Sequence, residues 1–198
     1  MTMLAHPILQ RLTSLGFAVF DNGDYDLNIV GIRKANGTPN TFDDVLHVIY
    51  KVNGQWVDRY WPVTTDPGTY WLEHPTNPAG TAAVVADRQY RGVWQIGKHK
   101  GKYTALVQTG GEIAVHRDDN HDAKVDYRDD NIVSGYYGIN CHRATTRAGG
   151  SVSVDKWSAG CQVFAVPSHF DAFMSICKKQ RDLRGWSNFS YVLLNDWE

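Results

Sequence analysis

Two runs of alternating apolar residues on either side of Asn53-Gly54 constrain the fold of this chain more than any other feature. They cover residues 45–52 and 55–63. Asn-Gly favours the tight two-residue turn of an antiparallel hairpin, because both residues tolerate the positive φ angles that this turn requires. The pattern therefore predicts a β-hairpin within a β-rich chain.

The rest of the chain adds more strands and little helix. Short apolar runs bounded by turn residues predict strands at residues 81–86, 92–96, 103–108, 112–117, 162–166 and 189–194. Helical spacing of apolar residues predicts one helix at 6–15 and another at 169–181, the second capped by Ser168. Residues 70–80 contain two prolines and are predicted to form a loop. The predicted fold class is mainly β (β-rich α+β), with one short N-terminal helix and one C-terminal helix.

The length of 198 residues fits one main domain at 41–198, with residues 1–40 as an N-terminal extension packed on it. The net charge of −1 and the absence of Lys and Arg clusters disfavour nucleic acid binding. The chain has no membrane span of ~18 apolar residues and no secretory signal pattern. Three cysteines, an odd number, do not form a disulfide framework. We therefore expect a monomer that is cytoplasmic as synthesised.

A histidine and a cysteine within residues 138–164 predict nucleophilic chemistry. His142 ends an apolar segment, and Cys161 follows 19 residues later. That separation is too long for one helix face, but a loop that returns on itself brings the two side chains together. A thiol attacks as the thiolate, and an adjacent imidazole lowers its pKa. The pattern predicts Cys161 as nucleophile and His142 as base, with backbone N–H groups of Gly160 and Cys161 binding the oxyanion.

Residues 158–161, which read SAGC, resemble the S-H-G-C motif of the L,D-transpeptidase (YkuD-type) catalytic domain, and His142 resembles the histidine that precedes that motif. The resemblance implies a mixed β-sandwich or barrel, a cysteine nucleophile with a histidine base, and peptidoglycan stem peptides as substrates. The chain departs from the motif in three places. Ala159 replaces the motif's histidine, Arg143 follows the base in place of glycine, and residues 162–163 read QV in place of an apolar residue and arginine.

Four residues are candidates for substrate contact, each with a structural alternative. Ser158 either contacts substrate or orients its loop, and Trp157 either walls the pocket or belongs to the core. Arg143 either binds a substrate carboxylate in a bidentate pair or is an exposed charge. His99 either lies in a solvated basic turn or supplies the imidazole that is missing at Ala159.

The acidic run at residues 118–129 has the oxygen-ligand spacing of a calcium loop. Oxygen-bearing side chains stand at positions 1, 3, 5, 9 and 12 of the run, which are Asp118, Asn120, Asp122, Asp126 and Asp129. However, position 6 is alanine instead of the glycine that makes the sharp turn. The run is therefore either a solvated acidic loop or a structural Ca²⁺ site that braces the approach to His142. The predicted chemistry itself requires no cofactor.

We expect a cysteine peptidase or transpeptidase that acts on peptidoglycan stem peptides through a thioacyl-enzyme. Hydrolysis, as by an L,D-carboxypeptidase or a lysin-type endopeptidase, is favoured over transfer to an amine. Release to the cell wall would require a holin or a secretion system. One alternative is a non-catalytic domain of the same fold that binds wall fragments through Trp and Tyr. Another is a metal-dependent hydrolase, which the lack of an H-E-x-x-H pair disfavours.

Overall fold

The computed structural model describes residues 6–197, and these form a closed eight-stranded barrel, a second sheet of three strands and three α-helices. The strands are β1 (Asn28–Arg33), β2 (Asp44–Val52), β3 (Gln55–Thr64), β4 (Thr81–Val84), β5 (Arg88–His99), β6 (Tyr103–Gln108), β7 (Ile113–Asp118), β8 (Ile132–Gly135), β9 (Cys141–Arg143), β10 (Gln162–Phe164) and β11 (Asn188–Asn195). The helices are α1 (Pro7–Ser14), α2 (Thr69–Glu73) and α3 (Pro167–Arg184), and a 3₁₀ turn covers Asp129–Asn131. The predicted mainly β fold with short helices is confirmed.

The predicted hairpin is β2 and β3, which pair antiparallel from Val52 opposite Gln55. Asn53 and Gly54 form the turn between them with φ angles of 50° and 75°. Positive φ at both positions is what a two-residue hairpin turn needs, so the Asn-Gly signal identified the turn and the pairing register correctly.

The barrel order is β1-β11-β5-β6-β9-β10-β3-β2, and the second sheet is β4-β7-β8. Strand β1 lies within residues 1–40 and pairs with both β11 and β2, so this segment contributes a strand to the barrel itself. Helix α1 covers the outside of that region, where Leu9 and Leu12 pack with Val30 and Ile49. The pairing that matters for the site is β9 with β10, which run parallel.

Three local predictions differ from the structure. Residues 70–80 were predicted as a loop but include most of α2, and β5 extends well beyond residues 92–96. Helix α3 begins with Pro167 after Val166 as N-cap, and Ser168 makes no capping bond. Proline suits this first position because its φ is already helical and its missing N–H would have no helical partner.

The barrel interior contains hydrogen-bonded aromatic side chains as well as aliphatic ones. Trp94 stacks on Tyr191 with ring centroids 4.5 Å apart, and both are fully buried. The Trp94 indole N–H donates to the Ile139 carbonyl (2.7 Å), and the Tyr191 hydroxyl donates to the Gln162 side chain (2.7 Å). These two bonds attach the segments before β9 and at β10 to the core.

Among residues 6–197, none of the helices has the length and apolar character needed to cross a bilayer.

Candidate active site

Cys161 lies at the end of a tight loop, one residue before β10. Its side chain is half-buried, and Sγ lies 3.4 Å from both the Gly138 carbonyl oxygen and the Asn140 backbone nitrogen. A carbonyl can only accept, so the thiol donates to Gly138 and accepts from Asn140. Burial raises the pKa of the Cys161 thiol to about 11, and the Asn140 N–H and the Lys100 charge offset only part of this rise. At neutral pH the resting side chain is a neutral thiol.

The hydroxyl of Ser158 shapes the loop that carries the thiol. Ser158 is fully buried, and its Oγ donates to the Cys161 carbonyl (2.8 Å) and accepts the Gly160 N–H (3.2 Å). Ser158 therefore orients its loop, which is one of the two roles that the sequence suggested for it. The Gly160 N–H is already engaged, which corrects the expectation that Gly160 and Cys161 together bind an oxyanion. The Cys161 N–H has no hydrogen-bond partner among residues 6–197 and stays available.

His142 in β9 is held in the tautomer that a general base needs. Its Nδ1 lies 2.9 Å from the Arg143 carbonyl oxygen, so Nδ1 carries the hydrogen and Nε2 carries the lone pair. The Tyr103 hydroxyl also donates to this carbonyl (3.0 Å). Nε2 has no hydrogen-bond partner in the described chain and is not among its buried unpaired atoms, so it contacts solvent. Burial, with a smaller effect of nearby His99, lowers the pKa of His142 to about 3.

The parallel pairing of β9 with β10 brings His142 and Cys161 to one face of the barrel wall. His142 lies opposite Val163, and Asn140 therefore lies beside Cys161. Side chains alternate along a strand, so Asn140 and His142 project from one face while Cys141 projects into the core. Strand rise and spacing put the Cα atoms of His142 and Cys161 about 8 Å apart. This is close enough for the two side chains to meet over one substrate.

No hydrogen bond joins the Cys161 thiol to the His142 ring in the described residues. The sequence predicts an imidazole that lowers the pKa of the thiol, whereas the structure has a neutral thiol beside a neutral imidazole. The reason is desolvation, which disfavours the charged form of both groups. In the resting structure the thiol hydrogen is directed to the Gly138 carbonyl and not to His142.

His99 at the end of β5 is buried, so the solvated basic turn is the wrong interpretation of this residue. Its ring stacks on His142 with centroids 4.0 Å apart, and its Nδ1 lies 3.0 Å from the Asn140 side-chain nitrogen. The Asn140 side-chain oxygen accepts the Gln108 backbone N–H (2.8 Å), which fixes the amide orientation. Asn140 therefore donates to His99, whose hydrogen must then be on Nε2. Burial lowers the pKa of His99 to about 4, so this ring is a neutral donor at neutral pH.

Three positioning residues escaped the sequence analysis: Asn140, Gln108 and Gln162. The Gln108 side chain is buried, accepts the N–H groups of Tyr137 and Ile139, and donates to the carbonyl of Gly135. The Gln162 side chain is fully buried and donates to the Gly160 carbonyl. A glutamine at an inward position of an apolar strand is the sequence signal that would have identified both.

The other two predicted substrate contacts, Arg143 and Trp157, lie outside the pair formed by Cys161 and His142. The Arg143 guanidinium packs on the Tyr103 ring at 4.0 Å and on Phe170 at 5.9 Å. The Arg143 backbone carbonyl contacts Nδ1 of His142, and carboxylate binding by the Arg143 side chain stays a prediction. Trp157 is 42% exposed and is therefore not a core residue. Cys141 and Cys177 are fully buried, in agreement with a structural role for both.

The acidic run at residues 118–129 forms a loop that is held in shape by hydrogen bonds between its own residues. Asn120 donates to Asp122 (3.2 Å) and Asp126 (2.9 Å), and the buried Asp118 carboxylate accepts the Asp126 N–H (2.7 Å). Within residues 6–197, no group of three or more His, Cys, Asp or Glu side chains is arranged to hold a metal ion. The Ca²⁺ site that includes Asp129 stays a prediction.

A cleft of about 350 Å³ opens beside the SAGC loop. Ala159 forms part of its wall, together with Trp71, Tyr136 and Tyr137. Ala159, which stands where the motif that residues 158–161 resemble has histidine, forms part of this cleft's wall. The imidazole of His99, from a different strand, stacks on His142.

No family model matches this chain, no curated protein matches its sequence, and no solved structure matches it.

Proposed function

We propose that this chain is a cysteine-dependent acyl transferase of the L,D-transpeptidase type that acts on peptidoglycan stem peptides. The observation that carries the proposal is the state of His142. Its Nδ1 hydrogen is committed to the Arg143 carbonyl, and its Nε2 lone pair is open on the face where Cys161 lies. A base fixed in this way by a hydrogen bond at the other nitrogen is the general arrangement for activating a nucleophile.

The reaction begins when a peptide carbonyl displaces the thiol from Gly138. The Cys161 proton passes to Nε2 of His142 as the sulfur bonds to the carbonyl carbon, and the oxygen takes up the electron pair. The tetrahedral intermediate collapses to a thioester, and His142 returns the proton to the leaving amine. Water or a second amine then attacks the thioester and regenerates the thiol.

Two donors on the face shared by Cys161 and His142 suit the oxyanion. One is the unpaired Cys161 N–H, and the other is the Nε2–H of His99. The stacking of His99 on His142 keeps a donor and a base in adjacent planes. Preorganised donors of this kind are usually the largest single contribution to acyl transfer.

A direct test uses purified muropeptides and mass spectrometry. Acid quenching during turnover should trap an acyl adduct on Cys161 that hydroxylamine removes, and the free products should identify the cleaved bond. Adding an amine acceptor distinguishes transfer from hydrolysis. Absence of both adduct and products across muropeptides of different stem length would refute the proposal.

The second candidate, a non-catalytic binder of wall fragments, is favoured by the aromatic walls of the cleft beside Ala159. In that case muropeptides would bind without turnover, and replacing Cys161 by serine would leave their affinity unchanged.

We expect the His99→Phe variant to lose about 100-fold in kcat with little change in KM, because one oxyanion donor typically contributes this much. Phenylalanine keeps a ring to stack on His142 but cannot donate a hydrogen bond. His99→Gln, which restores an N–H donor, should recover part of the rate. A His99→Phe enzyme with wild-type kcat would show that the ring serves packing alone.

The pH profile should lack the inflection near 6.5 that an ordinary histidine gives. The base works when neutral, and the lowered pKa of His142, about 3, keeps it neutral until the solution is strongly acidic. The thiol, with its pKa raised to about 11, keeps its proton until the solution is strongly alkaline. We therefore expect kcat/KM to be flat from about pH 5 to about pH 9. An acid limb centred near 6.5 would contradict the neutral pair.

A further inference from the structure

The cleft beside Ala159 is close to the thiol along two separate segments of chain. Ala159 precedes Cys161 by two residues, and Tyr137 precedes Gly138, whose carbonyl accepts the thiol hydrogen. Two residues of chain span at most about 7 Å. A group held in this cleft therefore lies within one or two peptide units of the carbonyl that Cys161 would attack.

Arg117 in β7 brings a buried positive charge to this cleft. Its side chain is only 8% exposed, and it forms no salt bridge within residues 6–197. One guanidinium nitrogen donates to the Gly80 carbonyl (3.2 Å), and the group packs on the Tyr137 ring at 4.4 Å. Burying a charge without a counter-ion is costly. An anion bound here would offset this cost.

The free donors of Arg117 face the cleft. The described chain offers the remaining guanidinium N–H groups no acceptor, and none of them is among its buried unpaired atoms, so they are open to solvent. Asp118, the next residue, projects from the opposite face of β7, and its carboxylate accepts the Asp126 N–H instead. No acidic side chain lines the cleft in the described structure.

We propose that this cleft is a carboxylate subsite in which Arg117 binds a free carboxylate of the peptide substrate. A planar guanidinium with open N–H groups fits a carboxylate in a bidentate pair, and the rings of Trp71, Tyr136 and Tyr137 can pack against the group next to that carboxylate. The subsite selects peptides with a carboxylate within one or two residues of the scissile bond. Its assignment to substrate rests on the proposed function, whereas its affinity for carboxylates does not.

The binding test uses the wild-type full-length chain labelled with ¹⁵N. N-acetyl-D-alanine should shift the backbone amides of Ala159, Tyr137 and Gly80 in a saturable manner, and N-acetyl-D-alaninamide should not. Arg117→Met should abolish the response, while Arg147→Met, at an exposed position, should preserve it. Equal responses to acid and amide, or none to either, would overturn the subsite without depending on any variant.

The kinetic test compares stem peptides with a free or an amidated terminal carboxylate. We expect wild-type kcat/KM to favour the free acid by about 10- to 100-fold, and Arg117→Met to remove that preference by slowing the acid alone, as loss of a charged hydrogen bond predicts. If the free acid binds but no peptide is turned over, the proposed function fails and the subsite stands. If peptides are turned over without preference for the acid, the subsite fails and the proposed function stands.

Discussion

Replacing Cys161 by serine is expected to lower muropeptide turnover by about a million-fold, the scale seen when the nucleophile of a catalytic triad is removed. The serine hydroxyl can keep the hydrogen bond to the Gly138 carbonyl, so the loop should retain its shape. It is nevertheless a much poorer nucleophile than a thiol beside a neutral imidazole. Turnover is measured by chromatography of the products over long incubations.

The matched control is Cys177→Ala, in helix α3. Cys177 is fully buried in the core, and the substitution should cost about 1 kcal/mol of stability while leaving kcat near the wild-type value. Comparable activity losses in the two variants would indicate a general packing effect. Full activity in Cys161→Ser would remove the thioester from the mechanism.

Gly160→Ala should be a strongly damaging methyl addition beside the thiol. A Cβ at this position would lie 2.5 Å from the Ala82 carbonyl oxygen and 3.0 Å from the Ile139 side chain. The backbone φ of +115° is also one that alanine rarely adopts. We expect a loss of about 3 kcal/mol in the free energy of unfolding, and an active-site loop that no longer presents Cys161 correctly in the protein that still folds.

Gly185→Ala separates backbone strain from steric contact as causes of the stability loss. Gly185 ends α3 with a φ of +70°, but a Cβ there would meet nothing within 4 Å. This variant should lose about 1 kcal/mol from backbone strain alone and keep its activity. Urea unfolding and kcat should be measured on both variants. Equal stability losses would mean that the contact with Ala82 contributes nothing.

The sequence predicted the parts of the fold that depend on local chemistry. Asn53-Gly54 located a hairpin because its turn needs positive φ, which few other residue pairs supply. Strand β6 was predicted with correct bounds, since its short apolar run lies between glycine-containing turns. Closure of the barrel was beyond this reasoning, because β1 pairs with β11 across almost the whole chain. Such pairing is decided by burial of both faces, which local patterns do not report.

The candidate site likewise has parts that the sequence predicted and parts that it did not. Cys161 and His142 were predicted as a pair because thiol and imidazole are the residue types that the proposed chemistry requires, and the structure brings both to one face of the barrel wall. The state of the pair was not predictable, since the pKa values depend on desolvation at one face of the barrel wall. His99 had looked like part of an exposed basic turn because Lys98, Lys100 and Lys102 surround it. Only the turn geometry brings its ring over His142.

The side-chain amides of Gln108 and Gln162 make buried hydrogen bonds that hold both sides of the site against the barrel interior. Neither loop can swing outward unless hydrogen bonds break in the buried core, where each lost bond is costly. The thiol and its neighbours thus share the cooperative stability of the barrel and do not form a separate mobile unit. Under the proposed function, a substrate would have to conform to a preset template, and tolerance for different peptides would come from the rim of the cleft.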